Sequence, residues 1–400
     1  MDIAGIICEY NPFHNGHAYQ IDETRRVLPG CAVVCCMSGD FTQRGEPAVF
    51  GKYARAAAAV TGGADLVLEL PLVSSVSSAE GFAAGGVALL EATGVCTHIS
   101  FGSECGDISA LEEARDALLS DGIDARIKAE LALGKSYAGA RYDAVKARHP
   151  AAAELLTAPN DILGVEYLKA ITTLGSSLIP VCVTRRGDGH DEGTSSGKAL
   201  REAILRGEDV WDAIPAAAAD IFKNEIECGR GPVCAQLLEQ IVLAKLRTMT
   251  AEQFDALPGA SEGLGRRLLK FRDGATLEAI AAGTKTKRYA MSRIRRMMLC
   301  AVLDITSEDS PMPEYIRPLA ANERGRQILS QMRKTARLPI ITKPASARRA
   351  GEASERAFLK TALAHDLYVL AYREASERAG GGDFTAQLQL MDTAGDEGPA

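Results

Sequence analysis

No stretch of this 400-residue chain reaches the roughly 18 consecutive apolar residues that cross a bilayer as a helix. The opening text, MDIAGIICEYNPFHNGH, has no basic segment ahead of its short apolar run, so neither a secretory leader nor a membrane partner is expected. Ten cysteines are present, yet no two are spaced C-x-x-C, which removes the usual zinc and dithiol signatures. Cys8, Cys35, Cys36 and Cys182 lie inside apolar runs, where a reduced thiol behaves as a small buried hydrophobe; a cytoplasmic protein with no resident metal is expected. Positive charge is also in short supply. With 45 Lys and Arg against 52 Asp and Glu, the net charge is -7, so any nucleic-acid partner has to be held by a local basic patch. Charged residues at 24% and hydrophobic residues at 46% are ordinary globular values that exclude a disordered or collagen-like chain.

What is present in the first half is a βαβ rhythm. Short runs, IAGIIC at 3–8, CAVVCCM at 31–37, ADLVLELP at 64–71, HISFG at 98–102 and LIPVCVT at 178–184, are apolar throughout, as parallel strands covered on both faces require. The segments Gly16 to Leu28, Lys52 to Thr61 and Ala79 to Thr93 between them have helix length and composition. The expected fold class is α/β: a doubly wound, Rossmann-like parallel sheet whose ligands bind beyond the carboxyl ends of its strands. Ala-rich helical text between 108 and 175 reads as an insertion into this domain, which is expected to span 1–207. A mainly helical domain is expected over 208–379. The glycine-led and then acidic text over 380–400 reads as a loose tail.

The segment that carries chemistry follows the first strand: GIICEY, NPFHNGH, AYQIDETRRVL. Asn11-Pro12 marks a turn, and His14 and His17, three residues apart, share one face of the first helical turn. Free N–H groups at a helix start make an anion site, and Gly16 leaves room for a phosphate to approach. A pair of capping or surface histidines is the plainer alternative.

His14-Asn15-Gly16-His17 resembles the HxGH signature of the nucleotidyltransferase superfamily. The longer GIICEYNPFHNGHAYQ is similar to one family within it, the tRNA(Met) cytidine acetate ligases. So are MSGDFTQRGEPA at 37–48, LELP at 68–71, FGSE at 101–104, PNDILGVEYL at 159–168, TKRYAMSRIRR at 286–296 and LPIITK at 338–343. The resemblance implies that ATP and acetate form acetyl-adenylate, with Mg2+ assisting, and that the acetyl group passes to N4 of the wobble cytidine of elongator tRNA(Met). It implies catalytic roles for His14 and His17. It implies ATP contacts from Ile7, Cys8, Glu9, Tyr10, Asn11, Pro12, Phe13, His14, Asn15, Gly16, His17, Ala18, Tyr19 and Gln20, and from Gly102, Asn160 and Arg185. Taken alone, Gly102 reads equally well as a turn glycine, Asn160 as a helix N-cap, and Arg185 as a strand-end cation. Ser38, Gln43, Arg44 and Lys52 form a polar set after the second strand and are candidates for acetate or phosphate contact, although Lys52 reads equally well as part of a solvated helix face. The chain departs from the superfamily pattern at GTSSGKALREA, where Lys198 replaces the expected threonine if Arg201 is aligned; a lysine still serves as a point charge for phosphate. It also departs at RRGDGHDEG after the last strand, where the family's text is longer.

In the second half KTKRYAMSRIRRMM holds Lys285, Lys287, Arg288, Arg293, Arg295 and Arg296 without an acid, which in an acidic protein is an electrostatic footprint for a phosphate backbone. Tyr289 is a candidate for stacking on an unpaired base. Arg266, Arg267, Lys270 and Arg272, and separately Arg333, Lys334 and Arg337, are expected to extend that surface. Two rival readings are a small-molecule adenylyltransferase, which would not need the basic patch, and a catalytically silent RNA-binding module, which would not need the histidines.

Overall fold

The computed structural model describes residues 1–185, 197–343 and 345–391. Five of its strands match the five apolar runs: β1 (Ile3–Cys8), β2 (Ala32–Ser38), β3 (Leu66–Leu70), β4 (His98–Ser103) and β5 (Ile179–Thr184). They are mutually parallel in the order β5-β4-β1-β2-β3. Both faces are buried. Ile3, Ile7, Ala32, Val34, Cys36, Leu66 and Leu68 belong to one core, while Ala4, Ile6, Val33, Cys35, Met37 and Val67 point into another. This explains strand text that is apolar at every position rather than alternating.

Helices α1 (Asn15–Val27) and α2 (Lys52–Thr61) cover one face, and the short α3 (Leu72–Ser75) leads into α4 (Ala79–Ala92) on the other. The insertion consists of α5 (Ile108–Leu119), α6 (Ile123–Ala132), α7 (Tyr137–Lys146), α8 (Pro150–Leu155) and α9 (Pro159–Leu174), whose apolar faces join the core beneath α4. The order of strands reverses at β1, so the crevice lies at the carboxyl ends of β1 and β4.

The division expected at 207 gives way to a more interleaved arrangement. After β5 come α10 (Gly197–Arg206) and α11 (Ala216–Glu227), and Phe222 of α11 stacks on Phe50 with ring centroids 4.5 Å apart, so these helices belong to the α/β body. A separate helical core is built by α12 (Glu239–Thr248), α13 (Ala251–Asp255), α14 (Leu264–Phe271), α15 (Leu277–Thr284) and α16 (Met291–Val302). The chain then returns to the sheet as β6 (Pro318–Ala321), antiparallel to β3, and α17 (Glu323–Thr335) packs beneath it. After α18 (Ala345–Arg349) and α19 (Glu352–Val369), α20 (Gly382–Thr385) leads into β7 (Gln389–Leu390), which pairs with β6.

Residues 380–391, expected to be loose, are therefore tied to the body at two points, the β7 pairing and Asp383. Asp383 is fully buried, and its carboxylate accepts from Lys52 Nζ at 2.7 Å, Tyr53 Oη at 2.8 Å and Arg317 Nη1 at 3.0 Å. Residues 392–400 of the expected tail lie outside the described residues.

Candidate active site

His14 and His17 form a reciprocal cap at the start of α1. His14 Nδ1 accepts the Gly16 N–H at 3.1 Å, and His17 Nδ1 accepts the His14 N–H at 3.2 Å. The rings stack with centroids 3.7 Å apart. Because each Nδ1 is an acceptor, each neutral imidazole carries its proton on Nε2. Both stay neutral near pH 7. Burial lowers the His14 pKa from 6.5 to about 4, with Arg185 and Arg201 adding to the effect. The pKa of His17 is pushed well below its ordinary value by burial, then by His14 and the same two arginines. The histidines are caps, as in the plainer alternative, and the capping bonds leave each Nε2–H out of the cap.

The loop before them is fixed from below. Tyr10 adopts φ 46°, and its hydroxyl lies 3.4 Å from Cys35 Sγ while its ring sits 4.7 Å from that of His17. The Asn11-Pro12 peptide is cis, Asn11 Oδ1 accepts Val49 N–H at 2.8 Å, and Phe13 is fully buried. Ile7 packs at the α4 side of β1, and Cys8 Sγ donates to Cys36 O at 3.7 Å. Asn15 Nδ2 donates to Asp212 O at 2.9 Å, and Gln20 Nε2 to Ser100 O at 3.5 Å. Ala18 packs against the core under α1, and Tyr19 is half-buried on α1. The buried Arg55 guanidinium ties the two strand ends together: it donates to the carbonyls of Glu9, Phe50, Ser38 at 3.1 Å, and Gly39.

Gly102 stands near the end of β4, where an added Cβ would lie 3.4 Å from Arg185 Cγ. Arg185 is exposed and follows β5, and its charge is felt by both histidines. Arg201 on α10 donates to Asn11 O at 2.8 Å. An added Cβ at Gly197, the first residue of α10, would sit 3.6 Å from His14 Nε2 and 3.4 Å from Arg201 Nη1, so the start of α10 abuts the histidine face. Lys198 points elsewhere, toward Glu202 at 3.9 Å. Arg201, one helical turn on, is the cation that α10 brings to the site. The remaining text of that region, 186–196, lies outside the described residues.

Asn160 is not the N-cap of α9; Ala158 is. Its amide is held instead by Glu104 Oε1 at 2.6 Å, while Glu104 Oε2 accepts Asp161 N–H at 2.9 Å. In return Asp161 Oδ1 accepts the N–H groups of Glu104 at 2.9 Å and Cys105 at 3.2 Å, and the Ser103 hydroxyl. The FGSE and PND segments therefore lock each other at the carboxyl end of β4. Each carboxylate accepts backbone donors that would otherwise be orphaned.

The polar set after β2 separates. Ser38 is buried, its hydroxyl is without a hydrogen-bond partner among the described residues, and its carbonyl is held by Arg55. Arg44 is exposed at a loop tip, whereas Gln43 beside it donates its N–H to Glu9 Oε1 at 2.7 Å. Lys52 is not on a solvated helix face. It is fully buried, with Nζ 2.8 Å from Glu69 and 2.7 Å from Asp383, and that neighbourhood holds it as a charge partner rather than as a free cation for phosphate.

The basic cluster also divides. Arg293 donates to Glu262 at 3.1 Å and to the Gly259 carbonyl, Arg295 pairs with Glu46, and Arg296 donates to Gln43 O at 2.9 Å. Tyr289 is buried with its hydroxyl on Glu262 O at 2.6 Å, so it presents no ring for base stacking. Arg288 is half-buried near Glu262. Lys285 and Lys287 are exposed, as are Arg266 and Lys270 on α14. Arg267 and Arg272 instead cap carbonyls at Thr284 and Met249. The set on α17 does not extend this surface. The amino end of α17 contacts Asp65 ahead of β3, and the backbone beyond its carboxyl end contacts Ala92, placing the helix at the edge of the sheet opposite the crevice.

A Rossmann-like sheet whose first helix starts on paired neutral imidazoles, with Arg185 and Arg201 close enough to disfavour their charged forms, is of the HIGH nucleotidyl transferase type: the family described as HIGH Nucleotidyl Transferase matches residues 1–383. Relatives narrow the class. The tRNA(Met) cytidine acetate ligase of Acetivibrio thermocellus is 36% identical, with 98% of this chain and 100% of that protein covered. The protein of the same name from Halothermothrix orenii is 35% identical, with 96% and 98% covered. Among solved structures, Thermotoga maritima TmcAL bound with alpha-thio ATP matches with a TM-score of 0.92 and 34% identity over 98% of this chain and 100% of that one. Its apo form gives 0.93 and 33% over the same shares. The chain belongs to the tRNA(Met) cytidine acetate ligase family.

Proposed function

We propose that this protein joins acetate to the N4 amine of the wobble cytidine of elongator tRNA(Met) in a reaction driven by ATP. The observation that carries the reading is the pair of neutral, Nε2-protonated histidines set against Arg185 and Arg201 at the start of α1. Acetate, with a carboxyl pKa near that of a model carboxylate, about 4, is already ionised at neutral pH, so its attack needs no general base. What opposes the attack is charge: a carboxylate must approach a polyphosphate. The acetate oxygen bonds to the α-phosphorus, the bond from that phosphorus to the bridging oxygen breaks, and pyrophosphate leaves. Nε2–H donors from His14 and His17 stabilise the equatorial oxygens as charge builds on them, and Arg185 and Arg201 offset the charge of the triphosphate. Neutral donors suit this role because they are fixed by the backbone and need no proton transfer. The cytidine amine then attacks the acetyl carbon of acetyl-adenylate, AMP leaves, and the amine nitrogen loses one proton to solvent as the amide forms.

The backbone of the Ile7–Gln20 segment with His14 and His17, together with Gly102, Asn160 and Arg185, is proposed to line the ATP site, while the Glu9 side chain turns away from it to accept the Gln43 N–H. Among the described residues no three His, Cys, Asp or Glu side chains converge as a metal site. Mg2+ is assigned to the substrate, arriving on the triphosphate oxygens. Exposed Lys287, Arg266 and Lys270, and Lys285, whose Nζ also donates to the Tyr289 carbonyl, are proposed to meet the RNA backbone, while Arg293, Arg295 and Arg296 are held by Glu262, Glu46 and Gln43. Location in the cytoplasm fits a tRNA substrate.

The test is pyrophosphate release measured with ATP and acetate, with and without tRNA. Release that requires acetate, accompanied by labelled tRNA, is expected. Release that is indifferent to acetate would overturn the reading.

A further inference from the structure

The loop between β2 and α2 is a small hairpin tongue. Phe41 and Pro47 bridge its base, Thr42 N–H donates to Glu46 O at 3.0 Å, and Gly45 N–H to Thr42 O at 2.9 Å. Its base is anchored in the helical core, where Phe41 is buried. Its tip lies on α16. Gly45 has φ +78°, and an added Cβ would sit 2.5 Å from Arg296 N, so the tongue's backbone rests directly on the helix backbone. Arg296 Nη1 donates to Gln43 O at 2.9 Å, and Arg295 pairs with Glu46 on the flank. On its other side the same residue, Gln43, donates its N–H to the Glu9 carboxylate at 2.7 Å. Glu9 directly follows β1, five residues before His14 in the loop that carries the histidines.

We infer that Arg296 is a positioning residue of the ATP site rather than an RNA contact: by fixing Gln43 it keeps the Glu9 carboxylate on the tongue and out of the phosphate crevice. This rests on the proposed ATP-dependent reading of the site. The physical reason is charge. A carboxylate released at the mouth of a crevice built for a triphosphate repels that ligand, whereas one held by a backbone N–H has its charge engaged. The sequence hides this role, since Arg296 stands in an acid-free basic stretch whose obvious partner is RNA.

The experiment uses the full chain and three variants: Arg296→Met, Arg296→Lys, and Arg296→Met combined with Glu9→Gln. The probes are a non-hydrolysable ATP analogue, titrated by calorimetry, and tRNA(Met), titrated by filter binding, with KM for each substrate in the acetylation assay. Arg296→Met is expected to weaken the ATP analogue about tenfold, the worth of one hydrogen bond to a charged group, and leave tRNA affinity within about twofold. Glu9→Gln in that background removes the repelling charge and is expected to recover ATP affinity to within about threefold of the parent. A merely structural arginine would show no such recovery. Arg296→Lys keeps a shorter donor and is expected to fall between; it carries the test if the methionine variant does not fold. Loss of tRNA affinity with ATP binding intact, loss of both in proportion, no change in either, or no recovery in the double variant would each overturn the inference. Failure of the parent to acetylate tRNA would instead count against the proposed reaction, while the ATP titrations would still decide the role of Arg296.

Discussion

Because His14 caps α1 through Nδ1 and is proposed to act on the triphosphate through Nε2, substitutions can separate the cap from the proposed chemistry. In His14→Asn the side-chain oxygen sits close to where Nδ1 stands and can accept the Gly16 N–H, and Asn is among the best N-cap residues. It has nothing at the position of Nε2. In His14→Gln the amide reaches the Nε2 position, but the cap is lost. The two variants are therefore expected to fail in opposite ways. His14→Asn should unfold in urea within a few tenths of a kcal/mol of the parent, roughly the spread among good caps. Its turnover should fall by about 10²-fold to 10³-fold, the usual cost of one missing donor to a developing oxyanion. His14→Gln should lose about 1 kcal/mol of stability, the typical value of a cap, while retaining more turnover than His14→Asn. Urea unfolding followed by circular dichroism, and acetylation rates at saturating substrates, provide both readouts. If the two rank identically in stability and rate, or if His14→Asn turns over normally, the assignment of Nε2 to transition-state stabilisation is refuted.

Other outcomes follow from the same geometry. Proton titration of the free protein by NMR should place the His14 midpoint at about 4, because burial and then Arg185 and Arg201 disfavour its charged form; a midpoint near 6.5 would mean the imidazole is solvated. Since that folded value lies below the unfolded one, the unfolded chain binds the extra proton first, so this group leaves stability untouched above about pH 6.5 and erodes it as pH falls from there toward 4. Replacing exposed Lys285 and Lys287 by Gln should weaken tRNA binding and reduce the slope of log affinity against log salt by roughly one for each phosphate no longer neutralised, and an unchanged slope would remove them from the interface. Asp383→Asn should destabilise the fold by about 3 kcal/mol or more in urea, because it leaves Lys52 and Arg317 with less buried counter-charge; a neutral result would show that residues 380–391 are dispensable.

How much of the molecule is legible in the chain depends on the range of the interactions involved. β1 and β2 are apolar on both faces over five residues or more, so composition alone locates them, while β3, β4 and β5 are located by apolar residues on either side of Glu69, Ser100 and Pro180. β6 has four residues, begins at Pro318 and pairs with β3 from about 250 residues away, while β7 has only two; neither is long enough to carry a period. The tail reads as loose because Asp383 finds Lys52 across 331 residues of sequence. The basic stretch at 285–296 reads as free charge for the same reason: its acids, Glu46 and Glu262, come from other parts of the chain. The histidine motif is legible because its chemistry is local. Two residues three apart cap one helix start and need nothing distant to define their tautomers. Asn160 shows the limit of that logic. Its position suits a cap, but Glu104, 56 residues away, claims its amide.

The most direct test of the central claim is to incubate the protein with ATP, isotopically labelled acetate and elongator tRNA(Met), digest the RNA and identify the modified nucleoside by mass spectrometry. One labelled acetyl group on the wobble cytidine, formed together with AMP and pyrophosphate and abolished in the His17→Ala variant, is the predicted result. Unlabelled tRNA in the presence of rapid, acetate-independent ATP turnover would contradict it.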